Sequence, residues 1–255
     1  MIGTVLTIAA NSFREAVRDR ILYLLLAFAA IVIGVSRFVS LLTVGDEAKI
    51  VKDFGLSAIS VFGVLTAMFV GVSLVFKEIE RKTVYTLLAN PVRRWQFVAG
   101  KFLGLLMVLA MNVVAMAAVL ALAIVWIGGT ALELWPAVLL TFVQLALVAA
   151  FAILFSSYTN PILAAVGTGA VYVVGHLSWS FELLKARASG AAARAACDAL
   201  HALLPNLDRL DVKAQAVHGI ALPQGYVAAG VVYGLAYALA VVVLACVVFE
   251  RREFA

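Results

Sequence analysis

Charged residues are scarce in this sequence of 255 residues, at 13% of positions, while hydrophobic residues reach 65%. Soluble domains carry about 25% charged and about 45–50% apolar residues, so this chain has too little polar surface to cover a water-facing fold of its size. The same composition excludes disordered, collagen-like and coiled-coil chains. The mean hydropathy of +1.10 instead predicts a polytopic helical membrane protein.

Cysteine is equally rare, with Cys197 and Cys246 as the two occurrences. Two such distant cysteines form neither a disulfide framework nor a metal-ligand cluster, and the three histidines do not form a zinc-protease motif. A phosphate-binding loop needs Ser or Thr after Gly-Lys, but Phe102 stands there. We therefore expect no metal, no cofactor and no catalytic residue in this chain.

Six apolar runs are long enough to cross a bilayer, which takes about 20 residues for about 30 Å of hydrocarbon. They are Ile21–Leu42, Phe54–Phe76, Phe102–Ile127, Leu134–Phe155, Ile162–Phe181 and Tyr226–Phe249. The sequence thus predicts an all-α polytopic membrane protein with six transmembrane helices.

The distribution of Lys and Arg predicts the orientation of these spans. With six spans, both termini and the segment 77–101 share one side, and that side carries more Lys and Arg than the other. By the positive-inside rule we place both termini in the cytoplasm. The net charge of +5 then reflects basic loops near anionic lipid headgroups, so we expect no nucleic-acid partner.

Three segments lie outside the spans. Residues 1–20 place apolar and polar side chains on opposite faces at helical spacing, with Ser12 among the polar ones, which predicts an amphipathic helix in the membrane interface. Residues 77–101 form a charged cytoplasmic loop, and residues 183–224 form an external segment with helical character.

The loop 77–101 contains a short predicted helix between two clusters of charge. Its apolar face repeats at helical spacing, and Pro91 ends it because the residue before proline leaves helical geometry. This pattern predicts a docking element for a cytoplasmic protein, with a helix lying on the membrane surface as the alternative. The residues expected to make the docking contacts are Glu78, Glu80, Arg81, Thr83, Leu87, Leu88, Pro91, Arg93 and Arg94.

Polar residues inside the spans are few. Asn112 and Gln144 lie near mid-span, where an interhelical hydrogen bond is the usual role, and His176 is typical of an interior histidine. For all three, lining a polar cargo path is the alternative. Ion-driven transporters normally contain more intramembrane acids, so the scarcity favours an external energy source.

Two Gly-x-x-x-Gly patterns, Gly100–Gly104 and Gly230–Gly234, predict close contact between helices. The contact could form within the chain or across a dimer seam.

A longer pattern in the loop resembles a known family. It reads Glu78-x-Glu80-x-x-Thr83-x-Tyr85-x-Leu87-Leu88-x-x-Pro91-x-x-Arg94-x-x-Phe97-x-x-Gly100-Lys101. This string is similar to the hallmark of ABC-2 type permeases, the membrane subunits of ATP-binding-cassette exporters. The chain resembles in particular the permeases of multi-copper enzyme and nitrous oxide reductase maturation, although Lys82 stands where many members have glycine.

The resemblance implies a single transmembrane permease domain, residues 1–255, in the inner (cytoplasmic) membrane of a bacterium. Two permease chains, identical or paralogous, would work with two copies of a separate ABC ATP-binding subunit that binds ATP and Mg. The loop helix would be the coupling helix that docks on that subunit, and the lipid bilayer would be the other partner. The alternatives are a lipid or lipid-linked-glycan exporter, a non-transporting membrane anchor and a membrane-embedded enzyme.

Overall fold

The computed structural model describes residues 2–40, 47–80, 93–177 and 204–251. Every regular element in these ranges is helical. The α-helices are α1 (Ile2–Val17), α2 (Arg20–Ser40), α3 (Glu47–Glu80), α4 (Arg94–Trp126), α5 (Trp135–Ser156), α6 (Pro161–His176), α7 (Lys213–His218) and α8 (Tyr226–Arg251). Short 3-10 turns at Leu132–Leu134 and Asp208–Leu210 precede α5 and α7.

Four of these helices, α3, α4, α5 and α8, are long and apolar enough to cross a membrane. The pair α1–α2, bent by 62° at its junction, raises the number to five if it counts as one span. Helix α6 has 16 residues and is about 24 Å long, which is short of the hydrocarbon thickness. The all-helical, multi-pass class is confirmed, and the number of six spans stays a prediction.

The helices α3 and α4 extend beyond the predicted spans. Because α3 continues to Glu80 and α4 begins at Arg94, the predicted loop 77–101 is helical at both of its ends. Residues 81–92, with most of the predicted coupling helix, lie outside the described residues. We call the end of the bundle where α3 ends and α4 begins the loop end, and the opposite end the far end.

Helix α5 is the central element of the bundle. In the most apolar 18-residue stretch of α5, 78% of the residues are buried, compared with 28% in the corresponding stretch of α8. Helices α3, α4, α6 and α8 pack around α5. Its middle is rich in alanine, which lets neighbouring helices approach closely in a membrane protein. The fully buried alanines are Ala146, Ala149, Ala150 and Ala152.

The second Gly-x-x-x-Gly pattern joins α8 to α5 within the chain. A Cβ atom added to Gly230 would lie 2.9 Å from Leu140 Cδ2, and one added to Gly234 would overlap the side chain of Val143. Both glycines are therefore used in intramolecular packing between helices.

The connections at the helix ends follow ordinary capping rules. The Asn160 side chain accepts a hydrogen bond from the Leu163 N–H at 2.8 Å and caps α6, whose first residue is Pro161. After α4, Gly128 adopts φ of +80° and donates its N–H to the Val125 carbonyl at 2.9 Å. A left-handed residue at this position favours glycine.

At the far end, residues 204–225 fold back onto the bundle. The Leu207 N–H donates to the Gly175 carbonyl at 3.1 Å, and the Asn206 N–H donates to the Tyr233 hydroxyl at 2.9 Å. This part of the predicted external segment 183–224 contains α7 and the turn Asp208–Leu210, whereas residues 183–203 lie outside the described residues.

Candidate functional site

Helix α1 lies against the first half of α4 at the loop end. The side of α1 that faces α4 is buried and consists mainly of small residues, namely Val5, Ala9, Ser12 and Ala16. A Cβ atom on Gly104 would lie 2.6 Å from Ser12 Cβ, and one on Gly100 would lie 2.7 Å from Ile8 Cβ. The first Gly-x-x-x-Gly pattern is thus a seam within the chain.

This seam corrects the predicted faces of α1. Ser12 was expected on the polar face, but it is fully buried, because its small side chain is what fits opposite Gly104. Leu6, a larger apolar residue of the same helix, is 57% exposed. The buried side of α1 is therefore chosen by side-chain size as well as by polarity.

A lysine is buried where α1, α3 and α4 meet. The Lys101 side chain on α4 is 1% exposed, and its Nζ pairs with Glu78 Oε1 at the end of α3. Glu15 Oε2 on α1 lies 3.9 Å from the same Nζ, and the centroid of the Phe97 ring lies 5.6 Å away. A buried cation needs such partners because desolvation without them is costly.

A second ion pair holds the last turn of α3 to the junction of α1 and α2. Lys77 Nζ lies 2.7 Å from Asp19 Oδ2, and Asp19 Oδ1 accepts the Ile21 N–H at 3.1 Å as the N-cap of α2. Burial raises the pKa of the Asp19 carboxyl, but the hydrogen bonds from Lys77 and Ile21 outweigh it and hold that pKa below 3.8.

Replacing Asp19 with alanine should lower the free energy of unfolding by about 1 kcal/mol, because both the cap and the ion pair are lost. Asp19→Asn keeps a capping oxygen and should cost less. Because the folded-state pKa lies below 3.8, the carboxylate stabilises the fold above that pH, and its contribution is lost as pH falls through the folded pKa.

Thermal unfolding in detergent across a pH series tests this pair of variants. The difference between wild type and Asp19→Asn should vanish at the acidic end. If the difference in stability between wild type and Asp19→Asn has the same size at the acidic end, the charge of Asp19 is not its cause.

The end of α8 is fixed to the start of α4. Arg94 Nη1 donates to the Glu250 carbonyl at 2.9 Å, and the rings of Phe97 and Phe249 stack with their centroids 5.6 Å apart. A cation at this position stabilises the C-terminal end of a helix, where carbonyl groups lack intrahelical partners. The junction of α1 and α2, the ends of α3 and α8 and the start of α4 thus form one connected surface at the loop end.

Comparison with known proteins identifies the chain. A family described as ABC-2 family transporter protein matches residues 6–254. The chain belongs to this family. No curated protein matches it. It is the membrane permease component of an ATP-binding-cassette transporter, a class that works with ATP-binding subunits and is not itself catalytic.

The structure describes part of the predicted coupling set of this ABC-2 permease. Glu78 lies in the buried cluster with Lys101, Arg94 contacts the end of α8, and Arg93 is exposed at the start of α4. Glu80 is the last residue of α3. The remaining members lie outside the described residues, namely Arg81, Thr83, Leu87, Leu88 and Pro91.

Sequence analysis of the permease missed the partners of Glu78. Lys101 was noted as the end of the family pattern, and no ion pair was predicted for it. One feature of the sequence could have indicated this pairing. Lys101 stands at the edge of an apolar run, and a lysine on a buried helix needs an acidic partner.

Two polar residues in the middle of the ABC-2 permease make interhelical hydrogen bonds. Asn112 Nδ2 on α4 donates to Thr66 Oγ1 on α3 at 2.7 Å, and Gln144 Nε2 on α5 contacts His176 Nε2 on α6 at 2.8 Å. Both amide side chains are fully buried. The structure therefore brings Gln144 and His176 together and leaves Asn112 at a separate contact.

His176 makes contacts within α6 and to α5. Its Nδ1 lies 3.0 Å from the Tyr172 carbonyl, which can only accept, so Nδ1 donates this hydrogen bond, while its Nε2 faces the Gln144 amide. Asp211 Oδ2 lies 3.8 Å from Nε2 and is bound by Lys213 Nζ at 3.1 Å. This network joins α5 and α6 to the far-end segment of the permease.

Proposed function

We propose that this permease forms one half of a dimeric exporter in a bacterial inner membrane, with its loop end and both termini in the cytoplasm. Two copies of a separate subunit would bind ATP and Mg and dock on the loop end. The observation that carries the proposal is the convergence of α1, α3, α4 and α8 at that end, joined by the Lys77–Asp19 and Arg94–Glu250 contacts.

The docking element of the proposal is the segment 81–92, which connects α3 to α4. Thr83, Leu87 and Leu88 would belong to the coupling helix, Pro91 would end it, and the exposed Arg93 would present a cation beside it. ATP can switch the permease between two packings only by binding one of them more tightly. Because this segment connects α3 to α4, an ATPase docked there would couple that difference in affinity to the positions of the ends of the two helices.

The proposed contacts of Glu78 and Glu80 need a different test from those of the segment itself. Reversing the charge of Glu78 would break its pair with Lys101, so loss of docking could not be separated from damage to the fold. Leu87 and Leu88 are better positions, because they belong to the predicted apolar face of the coupling helix.

The proposed cargo path lies between the two permease chains. Asn112, Gln144 and His176 lie inside one protomer, so cargo would reach them only in a packing that separates α3 from α4 or α5 from α6. A lipid or lipid-linked-glycan cargo is the alternative to a small-molecule or maturation-related cargo.

Purification of the permease from native membranes in mild detergent, followed by mass spectrometry, tests the proposal. Wild type should retain an ABC ATPase in stoichiometric amount. The double variant Leu87→Asp/Leu88→Asp should lose it, because two carboxylates would remove the apolar docking face. Leu132→Asp is the matched control, since Leu132 is 87% exposed in the connection between α4 and α5.

Wild-type permease without an ATPase would contradict the proposal and favour the membrane-anchor or membrane-enzyme alternatives. Equal retention of the ATPase by the double variant would contradict docking through this segment. A bound ATPase that hydrolyses ATP without moving any cargo in vesicles would favour the anchor.

A further inference from the structure

A cavity of about 940 Å³ opens at the far end of the permease, between the start of α5, the segment 204–225 and the start of α8. We call it the far-end cavity. Most of the side chains that line it are apolar. Among its described lining residues, Glu133 is the only charged one, and Gln215 supplies a side-chain amide. A ligand of this cavity would therefore meet an apolar wall with a few polar groups, which is the usual composition of a small-molecule site.

An apolar groove of about 770 Å³ between α4 and α5 adjoins the far-end cavity, because Trp135 and Leu139 line both. The described residues that line the groove are all apolar. Both α4 and α5 are candidate membrane spans, so this groove faces lipid. Trp135 is 59% exposed at the junction, and tryptophan is typical of the boundary between lipid and water. The cavity and the groove together thus offer a polar end and an apolar end, as an amphiphile requires.

The charge of the far-end cavity comes from Glu133. Its side chain is 61% exposed, although Lys52 Nζ lies 3.5 Å from its Oε2. The Lys52 side chain is 11% exposed and does not line the cavity, so a ligand reaches the carboxylate and not the ammonium group. This arrangement favours a cationic or hydrogen-bond-donating ligand group over an anionic one.

The amide of Gln215 adds a second acceptor. Gln215 lies on α7, which packs against the turn Leu132–Leu134 that contains Glu133. Its Oε1 is buried and has no hydrogen-bond partner in the part of the chain that the structure describes. A buried acceptor without a donor is unfavourable, and the last torsion of a glutamine side chain is soft. A donor in the cavity would therefore draw this oxygen towards it.

We propose that the far-end cavity binds the headgroup of a lipid with a primary ammonium group, as in phosphatidylethanolamine. The ammonium group has three N–H donors and no acceptor, and it would donate to Glu133 and Gln215. An acyl chain of the same lipid would pass Trp135 and lie in the groove between α4 and α5. The site needs neither ATP nor a docked subunit, so this inference stands or falls independently of the proposed function.

Quenching of Trp135 fluorescence by brominated lipids tests the site. Trp135 is kept as the single tryptophan of the whole chain by replacing Trp95, Trp126 and Trp179 with phenylalanine. The protein is reconstituted in phosphatidylcholine vesicles that contain a minor share of brominated phosphatidylethanolamine, phosphatidylcholine or phosphatidylglycerol. The first two lipids are both zwitterionic and differ in their N–H donors, whereas the third has hydroxyl donors and a net negative charge. Phosphatidylethanolamine should quench Trp135 about three- to tenfold more effectively than either of the others.

Trp126 provides the matched control for the reporter. It is 84% exposed at the end of α4 and lines neither the far-end cavity nor the groove. A variant that keeps Trp126 as its single tryptophan should be quenched equally by the three lipids, because general contact with the bilayer does not depend on the headgroup.

Two substitutions test the polar and the steric part of the site separately. Gln215→Leu removes the acceptor and should lower the preference for phosphatidylethanolamine without lowering thermal stability, because the lost oxygen has no described partner. Ala228→Phe fills the far-end cavity from an exposed position and should abolish the preference. Ala229→Phe is its control, since Ala229 is equally exposed in the next position and does not line the cavity.

A preference for phosphatidylethanolamine at Trp135 that is absent at Trp126 and weakened by Gln215→Leu and Ala228→Phe supports the site. Equal quenching of Trp135 by phosphatidylethanolamine and phosphatidylcholine would overturn it, because N–H donors would then make no difference. Phosphatidylglycerol as effective as phosphatidylethanolamine would also overturn it. Trp135 shielded from all three lipids would show that protein covers this face, such as a second copy of the chain, and would overturn the proposal as well.

Discussion

Replacing Gly104 with alanine should detach α1 from α4 and lower the free energy of unfolding by about 1–3 kcal/mol. The added Cβ would lie 2.6 Å from Ser12 Cβ and 2.9 Å from the Ala9 carbonyl oxygen. Neither atom can be moved by a rotamer change, because a Cβ and a backbone oxygen are fixed to the helix. The clash can be relieved only by moving α1 as a whole.

Alanine favours a helix over glycine by about 1 kcal/mol. Gly104→Ala therefore lowers the free energy of unfolding only because the clash costs more than this gain. Gly34→Ala on α2 is the matched control, since nothing lies within 4 Å of the added Cβ there. Thermal unfolding in detergent should show Gly34→Ala at or above wild type and Gly104→Ala below it. Protease cleavage within α1 should rise only in the second variant.

A compensating substitution on α1 tests the same contact. Ser12→Gly in the Gly104→Ala background removes the closer of the two clashes and should restore part of the stability. If Gly104→Ala behaves like Gly34→Ala, the close seam between α1 and α4 does not exist as described.

The substitution Lys101→Met should be among the most destabilising single changes in this permease, at about 3 kcal/mol or more. Methionine fills a similar volume, so little packing is lost. The cost arises because Glu78 and Glu15 keep their charges and lose their contacts with the buried Lys101 ammonium group. Their own exposure, 16% and 28%, allows some hydration and places the effect at the lower end of the range for broken buried pairs.

Lys52→Met provides the control for a lysine that is almost as buried. The Lys52 side chain is 11% exposed and lies 3.5 Å from Glu133, but the Glu133 side chain is 61% exposed and returns to water when the pair is broken. We expect a change within about 1 kcal/mol. Equal losses in the two variants, measured by thermal unfolding, would contradict a special role of the buried carboxylates around Lys101.

The hydrophobic runs predicted where the long apolar helices lie, and some of these helices extend beyond the predicted spans. The second run was expected over Phe54–Phe76, whereas α3 extends from Glu47 to Glu80. A span prediction counts the residues that lipid requires, but a helix continues as long as its backbone hydrogen bonds are favourable and its charged ends reach water or an ionic partner. Lys77 and Glu78 lie in the last turn of α3, where Asp19 and Lys101 pair with them.

Pairing between distant residues could not be predicted from local pattern. Arg94 and Glu250 are separated by 156 positions, and Lys77 and Asp19 by 58. The spacing of Gly100 and Gly104 likewise predicted a close contact between helices, but it did not predict which helix would make that contact. Helical periodicity reports which residues share a face of one helix, and it carries no information on which other helix covers that face.

The sequence by itself determined the all-helical membrane class and the family. Backbone polar groups in lipid must be satisfied within the helix, so long apolar runs leave no other fold class for this composition. The loop pattern from Glu78 to Lys101 then indicated the ABC-2 family, which the match to residues 6–254 confirms.

Only the tertiary structure decided that α1 packs against α4 and that Lys101 joins Glu15 to Glu78. The physical reason is that both depend on the shape and charge that three helices present together, and neither property belongs to any one of them alone.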